Sequence, residues 1–337
     1  MDTYTIAVVG TAGMIGREFL KVLLEHQFPV GEIRFLGTER TAGRKVHFRG
    51  EEIEVLPLSA QAFSHVNFAF FAAGPEISSQ YAPIAAKSGA VVLDTSPAFR
   101  MEPWVPLVVP EVNGADLAHH RGIIASPHTM TTLLTLPLAA LHRVNPVARV
   151  IVDTYQSASS AGQAAIEELS QQTRLVLEGK SAPSHIFPHQ LAFNVLPQID
   201  PFYDNGYSRE EWWLMQETRK VLHSPDLAIS GTCVRVPVFQ GDAAAVHVEL
   251  SQTLPPEDAQ TILGNAQGVK VLDELDVALY PHPWMVTGQE EVLVGRIRRD
   301  FSHPRGLAFW LVGDNIRRGS ALNALYIAET MAREGWL

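Results

Sequence analysis

The stretch Thr5-Ile6-Ala7-Val8-Val9-Gly10-Thr11-Ala12-Gly13-Met14-Ile15-Gly16 decides the fold of the first half of the chain. Its first part, Ile6 to Val9, is a short apolar run typical of a parallel strand that is buried on both faces. Apolar residues then recur at helical spacing from Ile15 onward. A strand, a glycine turn and a helix in this order form the context that a dinucleotide-binding fingerprint requires.

The glycines of this stretch follow a G-x-x-G-x-x-G spacing, which is a looser relative of G-x-G-x-x-G. Glycine lets the backbone turn tightly and approach a pyrophosphate, which is held at the positive end of the following helix. We therefore predict a nicotinamide dinucleotide site made by Gly10, Thr11, Ala12, Gly13, Met14, Ile15 and Gly16. The alternative is a glycine-rich turn that binds no ligand.

The composition restricts the class of protein. A chain of 337 residues is too long for one ordinary core, so two domains are expected. Hydrophobic residues make up 46% and charged residues 18%, which is typical of a globular enzyme, and the net charge of -10 argues against nucleic-acid binding. We expect no membrane span and no signal peptide.

The cysteine and histidine content bears on compartment and metal binding. The single cysteine, Cys233, excludes an internal disulfide and favours a reducing, cytoplasmic location. It lies in an apolar strand, where we expect a buried, inert thiol. Because no Cys/His cluster has zinc spacing, we predict no metal site.

A loop after the second predicted strand, Ile33 to Leu36, bears on the choice of cofactor. The end of this strand contacts the adenosine ribose in dinucleotide-binding folds. Thr38, Arg40 and Thr41 favour a 2′-phosphate, whereas Glu39 favours a free 2′-hydroxyl. We expect NADP rather than NAD, and a solvated charged loop is the alternative.

Further buried strands are predicted at residues 66–71, 91–94 and 122–125, with helices between them. This alternation indicates a doubly wound parallel sheet. Ligands bind beyond the carboxyl ends of such strands, where Gly74 and Arg100 lie. Arg100 is a candidate ligand for phosphate or carboxylate, and a solvated surface arginine is the alternative. Thr129, at the last of these strand-to-helix turns, is either a hydroxyl nucleophile or part of a helix N-cap.

Eight stretches together resemble the aspartate-β-semialdehyde dehydrogenase family over nearly the whole chain. The stretches are Gly10 to Gly16, Thr38-Glu39-Arg40-Thr41-Ala42-Gly43, Ser96 to Met101, Leu107-Val108-Val109-Pro110-Glu111-Val112-Asn113, Phe187-Pro188-His189-Gln190-Leu191-Ala192-Phe193-Asn194, Thr232-Cys233-Val234-Arg235-Val236-Pro237-Val238, Gly295-Arg296-Ile297-Arg298-Arg299-Asp300 and Asp314-Asn315-Ile316-Arg317-Arg318-Gly319. The resemblance implies an α/β fold with two domains. An N-terminal Rossmann-type parallel sheet, residues 1–128 with 314–337, binds the nucleotide. An α+β domain with a mainly antiparallel sheet, residues 129–313, binds substrate and forms a homodimer.

The second half of the sequence is consistent with this implied domain. Period-two alternation predicts strands at residues 150–155, 232–239, 245–250, 292–296 and 307–311. Helices are predicted at residues 162–178, 208–222, 255–267 and 320–333.

The family chemistry implied by the resemblance is reductive dephosphorylation of aspartyl-β-phosphate with NADPH, through a cysteine thiolate and a proton-transferring histidine. In this chain Thr129 stands at the cysteine position and Asp242 at the histidine position. Glu210 matches a substrate-contacting glutamate, but Trp213 stands where a phosphate-binding lysine is expected. Three central positions therefore differ together.

Other positions match the family. Gln156 corresponds to an active-site glutamine, Arg235 to the arginine that binds the substrate α-carboxylate, and Arg100 to a phosphate-binding arginine. Ser159 and Asn315 correspond to cofactor contacts. In the stretch Ser159-Ser160-Ala161-Gly162, the first glycine of the family's Ser-Gly-Ala-Gly turn is replaced by serine.

These substitutions lead to three alternatives. The first is a homologue that has lost the acyl-enzyme chemistry, since a threonine hydroxyl is far less acidic than a thiol. It keeps nucleotide and small-anion binding in a binding or regulatory role. The second is an active NADP-dependent semialdehyde or acyl-phosphate oxidoreductase of amino-acid biosynthesis. The third is an interaction subunit that binds no nucleotide.

Overall fold

The computed structural model describes residues 3–337. They form two compact units. The first contains the chain up to His128 together with Ser320–Leu337, and the second is Thr129–Gly319. Among residues 3–337, no helix combines the length and apolar character that crossing a bilayer requires.

The first unit begins with a seven-stranded sheet and its helices. Its strands are β1 (Tyr4–Val9), β2 (Val30–Gly37), β3 (Lys45–Phe48), β4 (Glu51–Pro57), β5 (Phe68–Phe71), β6 (Val91–Asp94) and β7 (Ile123–Ala125). Its helices before residue 128 are α1 (Met14–Glu25), α2 (Pro75–Lys87) and the short α3 (Pro110–Asn113). The strand order is β3-β4-β2-β1-β5-β6-β7, and every pair is parallel except β3 with β4.

The central strands of this sheet are buried on both faces, as their continuous apolar runs predict. All four residues of β5 and of β6 are buried. Aromatic rings fill one side of the core, where Phe19 of α1 stacks on Phe70 of β5 at 3.8 Å between centroids. The predicted Rossmann-type sheet is confirmed, and the hairpin β3–β4 at its edge is an addition that the sequence patterns did not indicate.

The second unit has a six-stranded mixed sheet. Its strands are β8 (Val147–Gln156), β9 (Ala228–Arg235), β10 (Asp242–Leu250), β11 (Val269–Val271), β12 (Val292–Arg299) and β13 (Gly306–Gly313). Its helices are α4 (Thr129–Val144), α5 (Gln163–Leu177), α6 (Arg209–Val221) and α7 (Pro256–Gly264). The order is β11-β12-β13-β10-β8-β9, and its central pairs β12–β13, β13–β10 and β10–β8 are antiparallel.

The two faces of this sheet differ in burial. Helices α4, α6 and α7 pack on strands of this sheet, and Val150, Val152, Val246 and Val248 are buried. Alternate residues of the same strands are half-buried, as period-two geometry requires. We call this second surface the open face and define it by Ile151, Tyr155, Ala245, His247 and Trp310.

One strand prediction was wrong in its bounds. The strand expected at residues 232–239 is β9, which runs from Ala228 to Arg235. It ends there because Pro237 has no N–H to donate to a neighbouring strand. The displacement matters because it places residues 236–241 in a connecting loop rather than in the sheet.

The chain returns to the first unit through its last helix, α8 (Leu322–Glu334). A π-helical turn, Arg317–Ala321, precedes it. Leu322, Leu325 and Ala328 of α8 join the core that contains Phe19 and Phe70. The mixed α/β fold with a parallel and a mainly antiparallel sheet is therefore as predicted.

Candidate active site

The glycine turn between β1 and α1 is shaped by close backbone approach. Gly10 has a φ of +102°, and a Cβ there would lie 2.5 Å from the carbonyl oxygen of Ala72. A Cβ on Gly16 would collide with the carbonyl oxygen of Gly10, whereas a Cβ on Gly13 would meet nothing closer than 3.5 Å. Because Gly10 and Gly16 have no side chains, the turn can pack closely against the start of the helix.

The start of α1 presents a surface that suits an anion. Ala12 and Gly13 are exposed, Met14 and Ile15 are half-buried, and Thr11 is buried. The first N–H groups of a helix have no intrahelical acceptor, and the helix dipole favours negative charge at this end. The predicted dinucleotide residues thus form a cradle in which a pyrophosphate fits.

The ribose end of this predicted site lies after β2. The Thr41 hydroxyl donates to the carbonyl oxygen of Thr38 at 3.2 Å, and the Thr41 and Ala42 N–H groups donate to the same oxygen at 2.9 Å. Arg40, at the tip of this turn, is exposed, and its guanidinium donates no hydrogen bond to any residue in the described part of the chain. The turn therefore leaves one cation available to an incoming phosphate.

Arg100 is buried and oriented by main-chain carbonyls. Its Nε donates to the carbonyl oxygen of Ser126 at 3.1 Å and its Nη2 donates to that of Thr95 at 2.8 Å. Before it, the buried Asp94 accepts hydrogen bonds from Ser78 and Ser96, and burial raises the pKa of its carboxyl. Arg100 is thus a positioned cation near the carboxyl end of β6, while Gly74, with a φ of +96°, precedes α2.

In the second unit, Thr129 begins α4. Its hydroxyl donates to the main-chain oxygen of Asn315 at 3.3 Å, and its methyl group packs on the backbone of Gly319. A nucleophilic hydroxyl needs an acceptor that is also a base, and a peptide carbonyl is not one. The hydrogen bond seen here holds Thr129 in place without increasing its nucleophilicity.

Asp242, the first residue of β10, is completely buried. Its Oδ1 accepts from the Ser157 N–H and from the Ser157 hydroxyl, both at 2.8 Å, and its Oδ2 accepts from the Ser160 hydroxyl at 2.7 Å. Burial raises the pKa of this carboxyl, and the serine donors and the charge of Arg235 oppose that rise. Both carboxylate oxygens are therefore engaged within the protein.

The network extends from Asp242 to the predicted cofactor contacts. The Asn315 side-chain amide donates to the hydroxyls of Ser159, at 2.8 Å, and Ser160, at 3.0 Å. Its Oδ1 accepts from the Gly241 N–H at 3.1 Å. Thr129, Ser159, Asp242 and Asn315 thus belong to one connected set of hydrogen bonds.

Arg235 is 6% exposed and lies at the end of β9. Its Nη1 donates to the carbonyl oxygen of Ser157 at 2.6 Å, which is the one hydrogen bond that its guanidinium makes within residues 3–337. No ion pair joins it to Asp242 within 4.0 Å in that described range, although the Asp242 charge raises its pKa against the lowering by burial. Its remaining N–H groups are available to a ligand carboxylate.

Gln156 lies opposite Arg235 in the pairing of β8 with β9, and Glu210 is bonded to Gln156. The Gln156 amide donates to Glu210 Oε1 at 2.8 Å, and both side chains are buried. Glu210 contributes to the local field at Arg235. An arginine with free N–H groups and a buried carboxylate form an arrangement that suits a molecule carrying both a carboxylate and an amine.

Two further residues were singled out from the sequence. Cys233 is fully buried, and burial together with the Glu210 charge raises the pKa of its thiol well above the usual value, so the predicted inert environment is present. Trp213 lies on α6, and the guanidinium of Arg209 lies 5.1 Å from its ring centroid. Arg209 Nε also donates to Asp200 Oδ2 at 3.1 Å, so the cation beside Trp213 is already paired with a carboxylate.

Sequence reasoning missed Ser157, the role of Ser160 and Arg209. The two serines bond to a carboxylate more than eighty positions away, at sequence separations of 85 and 82 residues. The one available signal was the replacement of a family glycine by Ser160. In the described residues, no group of three or more His, Cys, Asp or Glu side chains has a metal-binding arrangement.

Comparisons with known proteins identify the family of both units. Residues 5–120 match the family model "Semialdehyde dehydrogenase, NAD binding domain", and residues 138–318 match "Semialdehyde dehydrogenase, dimerisation domain". An aspartate-semialdehyde dehydrogenase from Prochlorococcus marinus is 45% identical over 327 residues, covering 97% of this chain and 95% of that protein.

Solved structures show the same likeness. Aspartate semialdehyde dehydrogenase II from Vibrio cholerae superposes with a TM-score of 0.96 at 40% identity, covering 99% of each chain. A Candida albicans aspartate semialdehyde dehydrogenase, solved with NADP, has a TM-score of 0.76 at 20% identity over the full length of both chains and shows the fold alone. With its nucleotide-binding and dimerisation domains both present, this chain belongs to the aspartate-semialdehyde dehydrogenase family.

Proposed function

We propose that this chain is an aspartate-semialdehyde dehydrogenase homologue that has lost the acyl-enzyme chemistry and retains nucleotide and small-anion binding. The observation that carries this proposal is the closed network of Asp242. A proton-transferring group needs a free lone pair or proton facing the substrate. Both oxygens of Asp242 accept hydrogen bonds from Ser157 and Ser160, and the residue has no exposed surface.

One of the two serines, Ser160, makes this arrangement differ from that of the family. Ser160 stands where the family turn has a glycine, so the donor to Asp242 Oδ2 arises from a second substitution. A buried carboxylate without donors is strongly destabilising. The paired substitutions support a rebuilt and maintained pocket rather than a damaged one, which favours a binding or regulatory role.

We propose NADP as the nucleotide, bound by the cradle at residues 10–16, by Thr38, Arg40 and Thr41, and by Gly74, Ser159 and Asn315. When bound, it supplies a hydride donor or acceptor. We assign this role to residues 1–128 with 314–337, although residues 314–319 pack within the second unit.

Thermal stabilisation tests the nucleotide proposal, because a ligand that binds only the folded state raises its stability. NADP should raise the melting temperature more than NAD at equal concentration. Arg40→Ala should abolish this preference, whereas Arg121→Ala, which removes an exposed arginine elsewhere in the first unit, should keep it. Equal stabilisation by both nucleotides, or by neither, would remove the proposal.

We propose a small carboxylate as the second ligand, bound by Arg235 with Glu210 and Gln156. The unused guanidinium N–H groups of Arg235 support it. Aspartate should stabilise the wild type and fail to stabilise Arg235→Met, which keeps a long apolar stem without charge. Stabilisation of both to the same extent would contradict the assignment.

The second candidate function is an active NADP-dependent semialdehyde oxidoreductase. It is favoured by the relatives, which are named aspartate-semialdehyde dehydrogenase and are covered almost entirely by this chain. Oxidation of aspartate semialdehyde with NADP and phosphate distinguishes the two candidates. Turnover in the wild type, abolished by Thr129→Val, would support the enzyme and overturn loss of chemistry.

We also propose a homodimer formed through the second unit. The matched dimerisation domain supports it, as does the half-buried part of the open face at Ile151, Ala245 and His247. Tyr155 and Trp310, at the other end of this face, pack with Leu272 and Met285 of the same chain. We expect neither nucleic acid nor a membrane as a partner.

A further inference from the structure

One pocket of the second unit contains none of the predicted substrate or cofactor residues. It has a volume of about 540 Å³. It is lined by Pro237, Val238, Phe239, Gln240, His282, Pro283, Trp284 and Thr287. Its two walls are the loop after β9 and the segment 282–287. We call it the aromatic pocket.

Both walls are held by one buried carboxylate. Asp314 Oδ2 accepts from the Gln240 amide at 3.0 Å and from the Gly288 N–H at 2.7 Å. The walls also touch directly, because a Cβ on Gly241 would lie 2.8 Å from the carbonyl oxygen of Pro283 and 2.9 Å from Val286. The pocket is therefore preformed, as small-molecule sites usually are.

The lining defines the chemistry of an occupant. It contains no Asp, Glu, Lys or Arg. A charged ligand would therefore lose its hydration without gaining an ion-pair partner in the pocket. Two rings, Phe239 and Trp284, are exposed, and Trp284 is 88% exposed. Exposed aromatic surfaces on a concave wall favour stacking with another planar ring.

Polar atoms at the pocket can orient a bound ligand. Three polar groups make no hydrogen bond to any residue in the range 3–337: the side-chain amide oxygen of Gln240, the ring nitrogens of His282 and the hydroxyl of Thr287. A mainly apolar wall with a few convergent polar groups is the usual composition of a ligand site. We propose that the aromatic pocket binds an uncharged planar heteroaromatic molecule of one or two rings, with hydrogen-bonding atoms at its edge.

The position of the pocket links it to the central network. Gly241 connects Gln240 of its wall to Asp242, and the Gly241 N–H donates to Asn315. An occupant that shifts the loop after β9 would therefore shift the residues that hold Asn315 and Asp242. This connection gives the pocket a route to influence the proposed nucleotide and anion sites.

Quinoline and indole are suitable probes, with benzoate as the anionic comparison. Binding is measured by ¹⁹F NMR of protein labelled with 5-fluorotryptophan, in which the Trp284 resonance is identified by its loss in Trp284→Phe. We expect a saturable shift of that resonance with quinoline or indole and not with benzoate. Calorimetry should show about tenfold weaker binding to Trp284→Ala, the scale of one lost ring contact.

Two variants keep the test independent of a folding defect. Thr287→Phe fills the pocket from an exposed position and should abolish binding. Phe301→Ala removes a ring about as exposed as that of Trp284 but outside the pocket, and it should leave binding unchanged. No shift with either probe, or equal binding of benzoate, would overturn the proposal. So would a smaller oligomer in Trp284→Ala, because a second copy of the chain would then be the occupant.

Discussion

At the scale of single residues, Asp242 offers a pH test. Burial raises the pKa of its carboxyl above the usual 3.8, so the folded state binds this proton more tightly than the unfolded state does. Its contribution to stability is therefore fully present below about pH 4 and is lost as the pH rises through the raised value. Asp242→Asn has no proton to lose and should not show this decline.

We expect the melting temperature of the wild type, relative to that of Asp242→Asn, to fall as the pH rises above about 4. Thermal unfolding of both proteins across this range measures the difference. Asp226→Asn, which removes an exposed carboxylate of the same unit, controls for the change in net charge. A difference that stays level or grows with pH would show that the serine donors and Arg235 stabilise the ionised form.

Thr129 leads to a second prediction at this scale. Thr129→Cys should not restore semialdehyde turnover, because the proton-transferring histidine and the lysine are still missing; general acid–base catalysis contributes about 10²- to 10⁴-fold. Adding Asp242→His and Trp213→Lys should recover more than the product of the single effects, since residues acting as a unit are not additive.

The structure adds a further variant to this experiment. Ser160 donates to Asp242, so its hydroxyl occupies space that an imidazole at position 242 requires, and Ser160→Gly should increase the recovery further. Thr129→Ser is the matched control, because it changes side-chain size without supplying a thiol. Turnover is measured with NADP and phosphate, and restoration by Thr129→Cys alone would count against the proposed loss.

At the scale of elements, the β1–α1 turn separates a folding role from a binding role. Gly10→Ala should destabilise the first unit by about 1–3 kcal/mol, because a positive φ is strained for alanine and the new Cβ would press on Ala72. Gly13→Ala meets nothing closer than 3.5 Å and should unfold like the wild type.

Gly13→Ala should nevertheless weaken NADP binding, since the added methyl group stands on the exposed surface that a pyrophosphate approaches. Urea unfolding and NADP titration of both variants separate the two effects. If Gly13→Ala bound NADP as tightly as the wild type, the nucleotide would not lie over this turn.

At the scale of the whole molecule, the open face tests the proposed homodimer. Ala245 lies between Asp153 and Trp310 in the sheet and is half-buried. Ala245→Arg should dissociate the dimer by placing an unpaired charge in the interface. Ala148→Arg, an exposed position at the end of β8, should leave the dimer intact.

Sedimentation velocity at micromolar concentration measures this outcome. We expect the wild-type protein to sediment with a mass of about twice the chain mass of 37.0 kDa, and the Ala245→Arg protein to sediment as a monomer. A wild type that is already monomeric would contradict the proposed homodimer. An Ala245→Arg protein that stays dimeric with its fold intact would show that the interface does not lie on the open face.

The sequence by itself determined the features that depend on local order. Strand, glycine turn and helix at residues 5–23 follow from periodicity and from backbone freedom at glycine, which act over a few neighbouring positions. The alternation of strands and helices predicted the parallel sheet, and motif matches located Thr129, Asp242 and Trp213 as departures from the family. The strand after residue 228 was misplaced, since apolar character alone did not show that Pro237 terminates it.

Only the tertiary structure decided what these departures do. The donors to Asp242 lie 85 and 82 positions away in sequence and reach it through the pairing of β8 with β10. Arg209 comes over Trp213 because both lie on one face of α6. Long-range partners depend on the register of a whole sheet, and a residue's own neighbours carry no record of that register. Thus the sequence indicated which catalytic groups were replaced, and the fold showed that one replacement is enclosed in a complete hydrogen-bond network.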